Sequence, residues 1–439
     1  MSKPATKKKS SSTSIPGYTH IQSTSGVEEY VLKTNGLRVL YHYRPNTEVV
    51  TTNITYLVGA VDETIGESGI AHMLEHMLFK PTQADKKANI KDGGAMKFER
   101  EVGCILNANT WKDRTTYFFC YPTKYLQRAL EIEAERMTGI ILNEKELSPE
   151  QNNVLSEFDM YNGDPYFALS VEMVSSAFIS HPYGHETIGY RADIEDYTPE
   201  RLQRFYTNYY RPDNAVMMVI GDVDRKTALE SVKKQFGAIK NPTTAIPRHH
   251  IREPNQEGIR RVAIERPSTT NIFSLGFKHA GLGTTDWLTT SVMLNVLTSG
   301  PESILEKLLV DTGKVAHIQT SQEPTKDTNL AVIHFTLAAK TTHEEIEQSV
   351  RTAIDTITAS DITTLIKKVK ANMLTDELFS RTSSMQIAQE LTEYTASGDW
   401  TQYAKTTELL KTITPKMVID CLKTSFVPSN LTIGTFIGK

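Results

Sequence analysis

The sequence predicts an α+β protein built as two tandem halves of roughly 220 residues each. Three observations predict it. The chain has 439 residues, too many for one ordinary core at roughly 100–200 residues per domain. Runs of period-two alternation are interleaved with longer stretches of helical periodicity along the whole chain. A proline-bearing break, "NPTTAIPRHHIREPNQ" at 241–256, interrupts them, and afterwards the order restarts. The closing "NLTIGTFIG" then resembles the earlier "NAVMMVIGD". The predicted divisions are a basic disordered tail at 1–20, a first domain at 21–240, a linker at 241–256 and a second domain at 257–439.

The elements follow in order. "EEYVLKTNGLRVLYHYRP" alternates like two strands joined by an Asn35-Gly36 turn. "TTNITYLVGA" reads as a strand and "GESGIAHMLEHMLFKPT" as a buried helix. "CILNANTWKDRTTYFFCYP" reads as two strands around a Lys112-Asp113 turn, and "YLQRALEIEAERMTGIIL" as a helix. The next helix is expected to start with Ser148 as N-cap and Pro149 at its first position, and to stop at Asn162-Gly163. "TPERLQRFYTNYY" is a capped helix and "NAVMMVIGDVD" a buried strand. In the second half, "RRVAIERP", "TNIFSLGFKH", "LAVIHFTLAAK" and "NLTIGTFIG" read as strands. "TDWLTTSVMLNVLTSG", "PESILEKLLVDTG" and "THEEIEQSVRTAIDTI" read as helices.

Composition excludes several classes of function. The formal net charge is −4, which offers no electrostatic footprint for nucleic acid or an anionic membrane. Three scattered cysteines (Cys104, Cys120 and Cys421) are too few for a disulfide framework or a cysteine zinc site, and fit a reducing compartment. No run approaches the ~20 apolar residues that span a bilayer. The N-terminal "MSKPATKKKSSSTSIPGYTH" has no apolar stretch after its lysines, so it is a poor secretory signal. The expected location is cytoplasmic.

The predicted helix at 66–82 places His72, Glu75 and His76 within five positions. Residues four apart lie one helical turn apart on the same face, so both imidazoles can point at one ion. Neutral imidazole is a good zinc ligand. Glu75 borders the same point without having to be a ligand, where a general base for a metal-activated water belongs. Catalytic zinc takes three protein ligands and leaves one position open, so a third ligand is needed. The helix after Ser148 offers Glu150 and Glu157 on one face, one to coordinate and one to support the site from behind. No comparable motif occurs in the second half, which predicts one metal ion per chain. Two imidazoles and a carboxylate would also accept manganese or cobalt.

The His-x-x-Glu-His order resembles the inverted zinc motif of the pitrilysin family of metallopeptidases, which includes insulin-degrading enzyme and the mitochondrial processing peptidase. The likeness extends over "GAVDETIGESGIAHMLEHMLFKPT", "VGCILNANTWKDRTTYFF", "ELSPEQNNVLSEFDMYNGDP" and the long segment from "HPYGHETIGY" to "NAVMMVIGDVD". More loosely, it continues through "LVDTGKVAHIQTSQEPTKDTNLAVIHFTL". The resemblance implies two tandem homologous α/β-sandwich domains of the processing-peptidase type, each an antiparallel-rich mixed sheet covered by helices. It implies zinc on His72, His76 and Glu157, with Glu75 as general base and Glu150 tuning the site. It further implies that an extended peptide adds to an edge strand at Asn107, Ala108, Asn109 and Thr110. His76 and Glu157 are 81 residues apart, a few more than is usual, and the surplus is expected in a polar loop, "ADKKANIKDGGAM". Cys104 stands where the family has a second glycine, and reads as a small buried residue.

One departure matters. The resemblance implies an arginine and a tyrosine that orient the peptide and stabilise the oxyanion. Ile304 stands at the expected arginine, and Glu306 and Lys307 occupy the neighbourhood of the tyrosine. Two expectations follow. The chain is the zinc-bearing half of an assembly whose related subunit supplies the pair, or it works alone or as a homodimer. The resulting reading is a zinc endopeptidase acting on unstructured peptides in an enclosed cavity. Its alternative is a non-catalytic scaffold subunit derived from the same family.

Overall fold

In the computed structural model, which describes residues 15–439, the predicted Asn35-Gly36 turn joins β2 (Val27–Leu32) to β3 (Arg38–Tyr43) as antiparallel neighbours. Gly36 has φ of 80°, the left-handed region that a side chain resists. The Asn35 amide donates to the carbonyls of Phe236 and Ile239 at 2.8 and 3.0 Å. A turn read from two residues is therefore also a tertiary anchor.

β1 (Tyr18–Thr24), β4 (Val49–Tyr56), β5 (Ile105–Thr110), β6 (Thr115–Pro122) and β7 (Ala215–Gly221) complete a seven-stranded sheet. Its order is β1-β2-β3-β7-β4-β6-β5. Only β3 and β7 pair in parallel. The second sheet uses β8 (Arg260–Arg266), β9 (Ile272–His279), β10 (Val315–Ser321), β11 (Asn329–Leu337) and β12 (Leu431–Gly438), in the order β10-β11-β9-β12-β8. Here only β8 and β12 are parallel. Read outward from each parallel pair, β3-β7-β4-β6-β5 and β8-β12-β9-β11-β10 are the same arrangement. The first half adds the β1–β2 hairpin at its far edge.

The first half's helices are α1 (Ile70–Met77), α2 (Gln83–Lys87), α3 (Gly94–Val102), α4 (Leu126–Gly139), α5 (Glu144–Asn162), α6 (Pro165–Ala177), α7 (Arg191–Glu195), α8 (Pro199–Tyr209) and α9 (Arg225–Phe236). The second half carries α10 (Thr285–Thr298), α11 (His343–Thr356), α12 (Ala359–Ser380), α13 (Ser384–Ala396), α14 (Thr406–Thr412) and α15 (Pro415–Ser425). The two sheets lie either side of residues 239–258, which carry neither helix nor strand.

The halves exchange one helix each. α6 packs on the second sheet, where Leu169, Met173 and Ala177 meet Ile272, Leu330, Val332 and Phe436. α13 packs on the first, where Ile387, Ala388 and Leu391 meet Leu40, Val216, Met218 and Ile220. Gly434 on β12 lets α6 approach, since a Cβ there would lie 2.5 Å from the Met173 sulfur. Each sheet thus has one face covered by its own helices and the other by a helix of the opposite half.

Several expectations need correction. Residues 1–14 of the expected tail lie outside the described residues, while Tyr18 to His20 belong to β1, where Tyr18 is buried and its hydroxyl donates to the Leu229 carbonyl at 2.8 Å. α5 starts five residues earlier than Pro149, capped by Asn143, whose side chain accepts from the Glu146 amide. Pro149 sits inside it and removes one helical donor. The polar insertion is not a plain loop, because α2 is closed by a Thr82–Asp85 capping box and α3 follows Gly93. The helix expected over 301–313 is present but shorter, at 304–310, with π-helical hydrogen bonding over Glu306–Val310.

Candidate active site

α1 is held at its start by a carboxylate, Glu63, that no sequence motif singles out. Its N-cap, Gly69, has φ of 85° and lies so close to the Ile188 carbonyl that a Cβ would come within 2.2 Å of it. The buried Glu63 carboxylate accepts from the amides of Gly69 and Ala71 at 2.8 and 3.0 Å. It satisfies free helix donors and places negative charge at the positive end of the dipole. His185 lies 2.8 Å from the same carboxylate through Nε2. The helix is thereby fixed at its start, one turn before its chemistry begins.

The structure brings His72, His76 and Glu157 together, with one ligand atom from each lying within 4.8 Å of the others. The Nε2 atoms of His72 and His76 are 3.8 and 3.5 Å from Glu157 Oε2. Tetrahedral zinc with bonds of roughly 2.0–2.1 Å separates its ligands by about 3.3 Å. The donor set and spacing therefore fit zinc after a small contraction. His76 Nδ1 lies 3.3 Å from Glu150 Oε2. Glu150 also pairs with Lys80 and accepts from the Asn153 amide at 3.1 Å. This is the usual arrangement behind a metal-binding imidazole. His72 differs, because its buried Nδ1 has no partner among the described residues.

Charge follows this geometry. Burial opposes the cation at His76, but hydrogen bonds to Glu150 and Glu157 outweigh it and hold the imidazole up at about 9. Burial, reinforced by the His76 charge, pushes His72 down to about 4. Burial works to raise Glu150, but His76 and Lys80 prevail and draw it down to about 2. Glu157 is lowered chiefly by its hydrogen bond with His76. Burial raises Glu75, against the pull of its hydrogen bond from Thr110.

Glu75 is 9% exposed and accepts from Thr110 Oγ1 at 2.6 Å. Thr110 ends β5, which among the described residues pairs only with β6 and lies at the edge of its sheet. Ala108, Asn109 and Thr110 line a chamber of about 670 Å³ together with His72, Glu75, His76 and Glu157. Gln319, Ser321, Asn329 and His334 close it from the second half. Asn107 lies on the far side of His76 and lines a second cavity of about 630 Å³, with Lys80, Met96 and Glu150. The groove along β5 thus continues past the candidate metal ligands in both directions, and α3 of the insertion forms part of its wall.

The reading from sequence missed Arg114. Its buried guanidinium donates to the Asn109 carbonyl at 3.2 Å and pairs with Glu393 on α13. The helix supplied by the second half therefore steadies the edge strand of the first. No local pattern signals this, because 279 residues separate the partners. Ile304 packs against the second core and is not among the residues lining the chamber. Cys104 is 8% exposed. Burial and the Glu99 carboxylate push its thiol up to about 11, which agrees with an inert packed residue.

Residues 38–190 match the family description "Insulinase (Peptidase family M16)", and residues 196–373 match "Peptidase M16 inactive domain". The Helicobacter pylori protein named "Zinc protease PqqE" is 30% identical over 387 residues, covering 87% of this chain and 86% of that protein. The chain belongs to the M16 peptidase family. This is the pitrilysin family expected from the sequence. A solved protease from Helicobacter pylori superposes on this M16 chain with a TM-score of 0.87 at 27% identity, covering 93% of this chain and 99% of the other. The periplasmic protease PqqL from Escherichia coli shares the fold, with a TM-score of 0.76 at 16% identity, and there the match spans 96% of this chain but 48% of PqqL. Among the described residues, no helix is long and apolar enough to cross a membrane.

Proposed function

We propose that this M16 chain is a zinc metalloendopeptidase for unstructured peptides, with one zinc held by His72, His76 and Glu157. The observation that carries the reading is the convergence of three ligand atoms beside a buried glutamate that is itself tied to an edge strand. Zinc in that position supplies a Lewis acid for the scissile carbonyl and lowers the pKa of water to about 7. The chain's own residues do the rest. The open edge of β5, from Asn107 to Thr110, offers backbone groups to an extended peptide. Such binding reads backbone more than side chains, so disorder in the substrate matters more than its sequence. Thr110 holds Glu75 in place through a 2.6 Å hydrogen bond. Glu75 takes a proton from the attacking water and returns it to the leaving amine. Glu150 fixes the His76 ring and does not touch the substrate.

The partner reading rests on Ile304, which packs into the second core of its own chain and brings no charge to the chamber. A related subunit, or a second copy, would then complete the site. PqqL, about twice the length of this chain's match, agrees with a working unit of two such chains. All three cysteines are unpaired, which supports a reducing compartment such as the cytoplasm.

The test is cleavage of an unstructured peptide of roughly 20–30 residues, long enough when extended to cross such a cavity. The purified, zinc-loaded chain is assayed alone beside Glu75→Gln. Cleavage that vanishes in the variant supports a complete peptidase in one chain and removes the need for an unlike partner. Zinc at one per chain without cleavage supports half an active site, and mixing with a related subunit should restore turnover. No zinc and no cleavage would favour the scaffold role.

A further inference from the structure

β11 has two different faces. Ala331, Ile333, Phe335 and Leu337 belong to the core of the second half, while Leu330 and Val332 pack against α6. By alternation His334 and Thr336 share the α6 side. A histidine on so apolar a face must find partners or cost stability. His334 finds them in both halves. Its Nδ1 lies 2.7 Å from the hydroxyl of Ser274, its cross-strand neighbour on β9. The ring of Tyr166, on α6 of the first half, meets the imidazole edge to face with 5.5 Å between centroids, and the Tyr166 hydroxyl bonds Thr336.

The Ser274 hydroxyl decides which nitrogen carries the proton. It is wholly buried and has no other partner among the described residues. With the proton on Nδ1, the Ser274 O–H would be left without an acceptor, which burial makes costly. Ser274 therefore donates to Nδ1, and the proton sits on Nε2. Burial pushes His334 down to about 4, against the pull of the Asp164 carboxylate, so the ring is a neutral donor at ordinary pH. Nε2 has no hydrogen-bond partner among the described residues and is not sealed from solvent, and the space that His334 lines is the chamber. A peptide laid along β5 engages that strand through the N–H and C=O groups of one edge. The groups of its other edge turn towards the wall supplied by the second half. On that wall Asn329 already donates to Glu323 at 3.1 Å. Gln319, Thr320 and Ser321 are exposed, so binding would have to fix their rotamers. The His334 donor is fixed in advance and costs less entropy to use.

We propose that His334 is a substrate-contacting residue, whose Nε2–H donates to a main-chain carbonyl on the edge of the bound peptide that faces away from β5. The inference rests on the peptidase reading of the same chamber and adds to it a recognising group from the half without candidate metal ligands. Ser274 and Tyr166 are positioning residues, the first for the tautomer and the second for the ring. The contact is made to backbone, so it tolerates any side chain in the substrate.

The test is a double-mutant cycle between protein and peptide, read as affinity in the zinc-loaded, full-length Glu75→Gln background so that nothing is cleaved. Fluorescent unstructured peptides carry one backbone amide at a time replaced by an E-alkene, which keeps the shape and removes the carbonyl. Adding His334→Phe should weaken the all-amide peptide by about threefold to tenfold, the size of one hydrogen bond. At one position only, the alkene peptide should bind both proteins equally. His334→Gln, which offers an amide donor at similar reach, should recover most of the loss. If His334→Phe folds poorly because the Ser274 hydroxyl is orphaned, Ser274→Ala/His334→Phe takes its place in the cycle. Heteronuclear NMR of protein labelled at the histidine nitrogens, with His334 assigned by its loss in His334→Gln, should show a protonated Nε2 and a bare Nδ1. Absence of coupling at every position, absence of binding, or a proton on Nδ1 overturns the proposal. Cleavage by the chain with Glu75 intact is scored separately. If it cleaves nothing, the peptidase reading fails, while the affinity cycle still upholds or overturns the His334 contact.

Discussion

Five strands follow the same order in both halves, yet among the described residues only the first half brings candidate metal ligands together. α1 follows β4, and α10 holds the corresponding place after β9. α1 turns His72, Glu75 and His76 towards the chamber. α10 buries Leu288, Val292, Met293, Leu294, Val296 and Leu297 and bears no histidine or glutamate. The edge strands differ in the same way. β5 ends at the threonine that holds Glu75, whereas β10, at the matching edge, supplies Gln319, Thr320 and Ser321 to the opposite wall of the chamber. The architecture is thus indifferent to chemistry. A few polar residues on one helix pair make the candidate site, while the half without them supplies a wall and a helix for its neighbour.

The comparison is most directly broken at Glu75. Glu75→Gln should lower peptide hydrolysis by about 10²–10⁴-fold, with zinc still near one per chain by elemental analysis. Loss of the metal instead would make Glu75 a ligand and redraw the site. Glu150→Gln should weaken zinc by roughly 10–100-fold in chelator competition, because His76 loses the group that orients it. An unchanged affinity would mean that α1 alone fixes the ring.

A pH series sharpens the same point. Zinc must displace the proton that the metal-free site holds on His76 at about 9. Apparent zinc affinity should therefore rise by about tenfold per pH unit from pH 7 towards 9 and then flatten. Metal-free stability runs the other way. The His76 contribution is fully present below the ordinary value of 6.5 and is lost as pH rises through about 9. The depressed Glu150 contribution is present above 4.5 and is lost as pH falls towards 2. The metal-free protein should thus melt highest in mildly acidic buffer, and thermal melts from pH 3 to 10 check the order.

The exchanged helices test the comparison through folding and leave the site's chemistry untouched. Leu391→Ala on α13 and Met173→Ala on α6 should each cost about 2–5 kcal/mol. Because each helix covers the other half's sheet, both should lower one shared unfolding transition in calorimetry. Two separate transitions would show that the halves fold independently despite the exchange.

The local sequence determined a good deal of this protein. The hairpin at Asn35-Gly36, the nearly continuous buried runs of β4, β6, β7 and β9, and the two imidazoles one turn apart on α1 depend on backbone preference and local hydrophobicity, which a few neighbouring residues settle. Errors arose where a local signal was overruled. Ser148-Pro149 has the form of a helix start, but Asn143 caps the helix earlier and the packing of Leu147 carries it through the proline. β1 was missed because "YTHIQST" is mostly exposed and depends on pairing with β2. Only the tertiary structure decided which carboxylate meets the two imidazoles, that Thr110 holds Glu75, that Glu63 caps α1, and that Arg114 on the first half grips Glu393 on the second. Those pairs are far apart in the chain, and a side chain's own neighbours in sequence say nothing about who will meet it there. Burial decided their charge too, since desolvation and a partner's field exist only once the chain has closed around them.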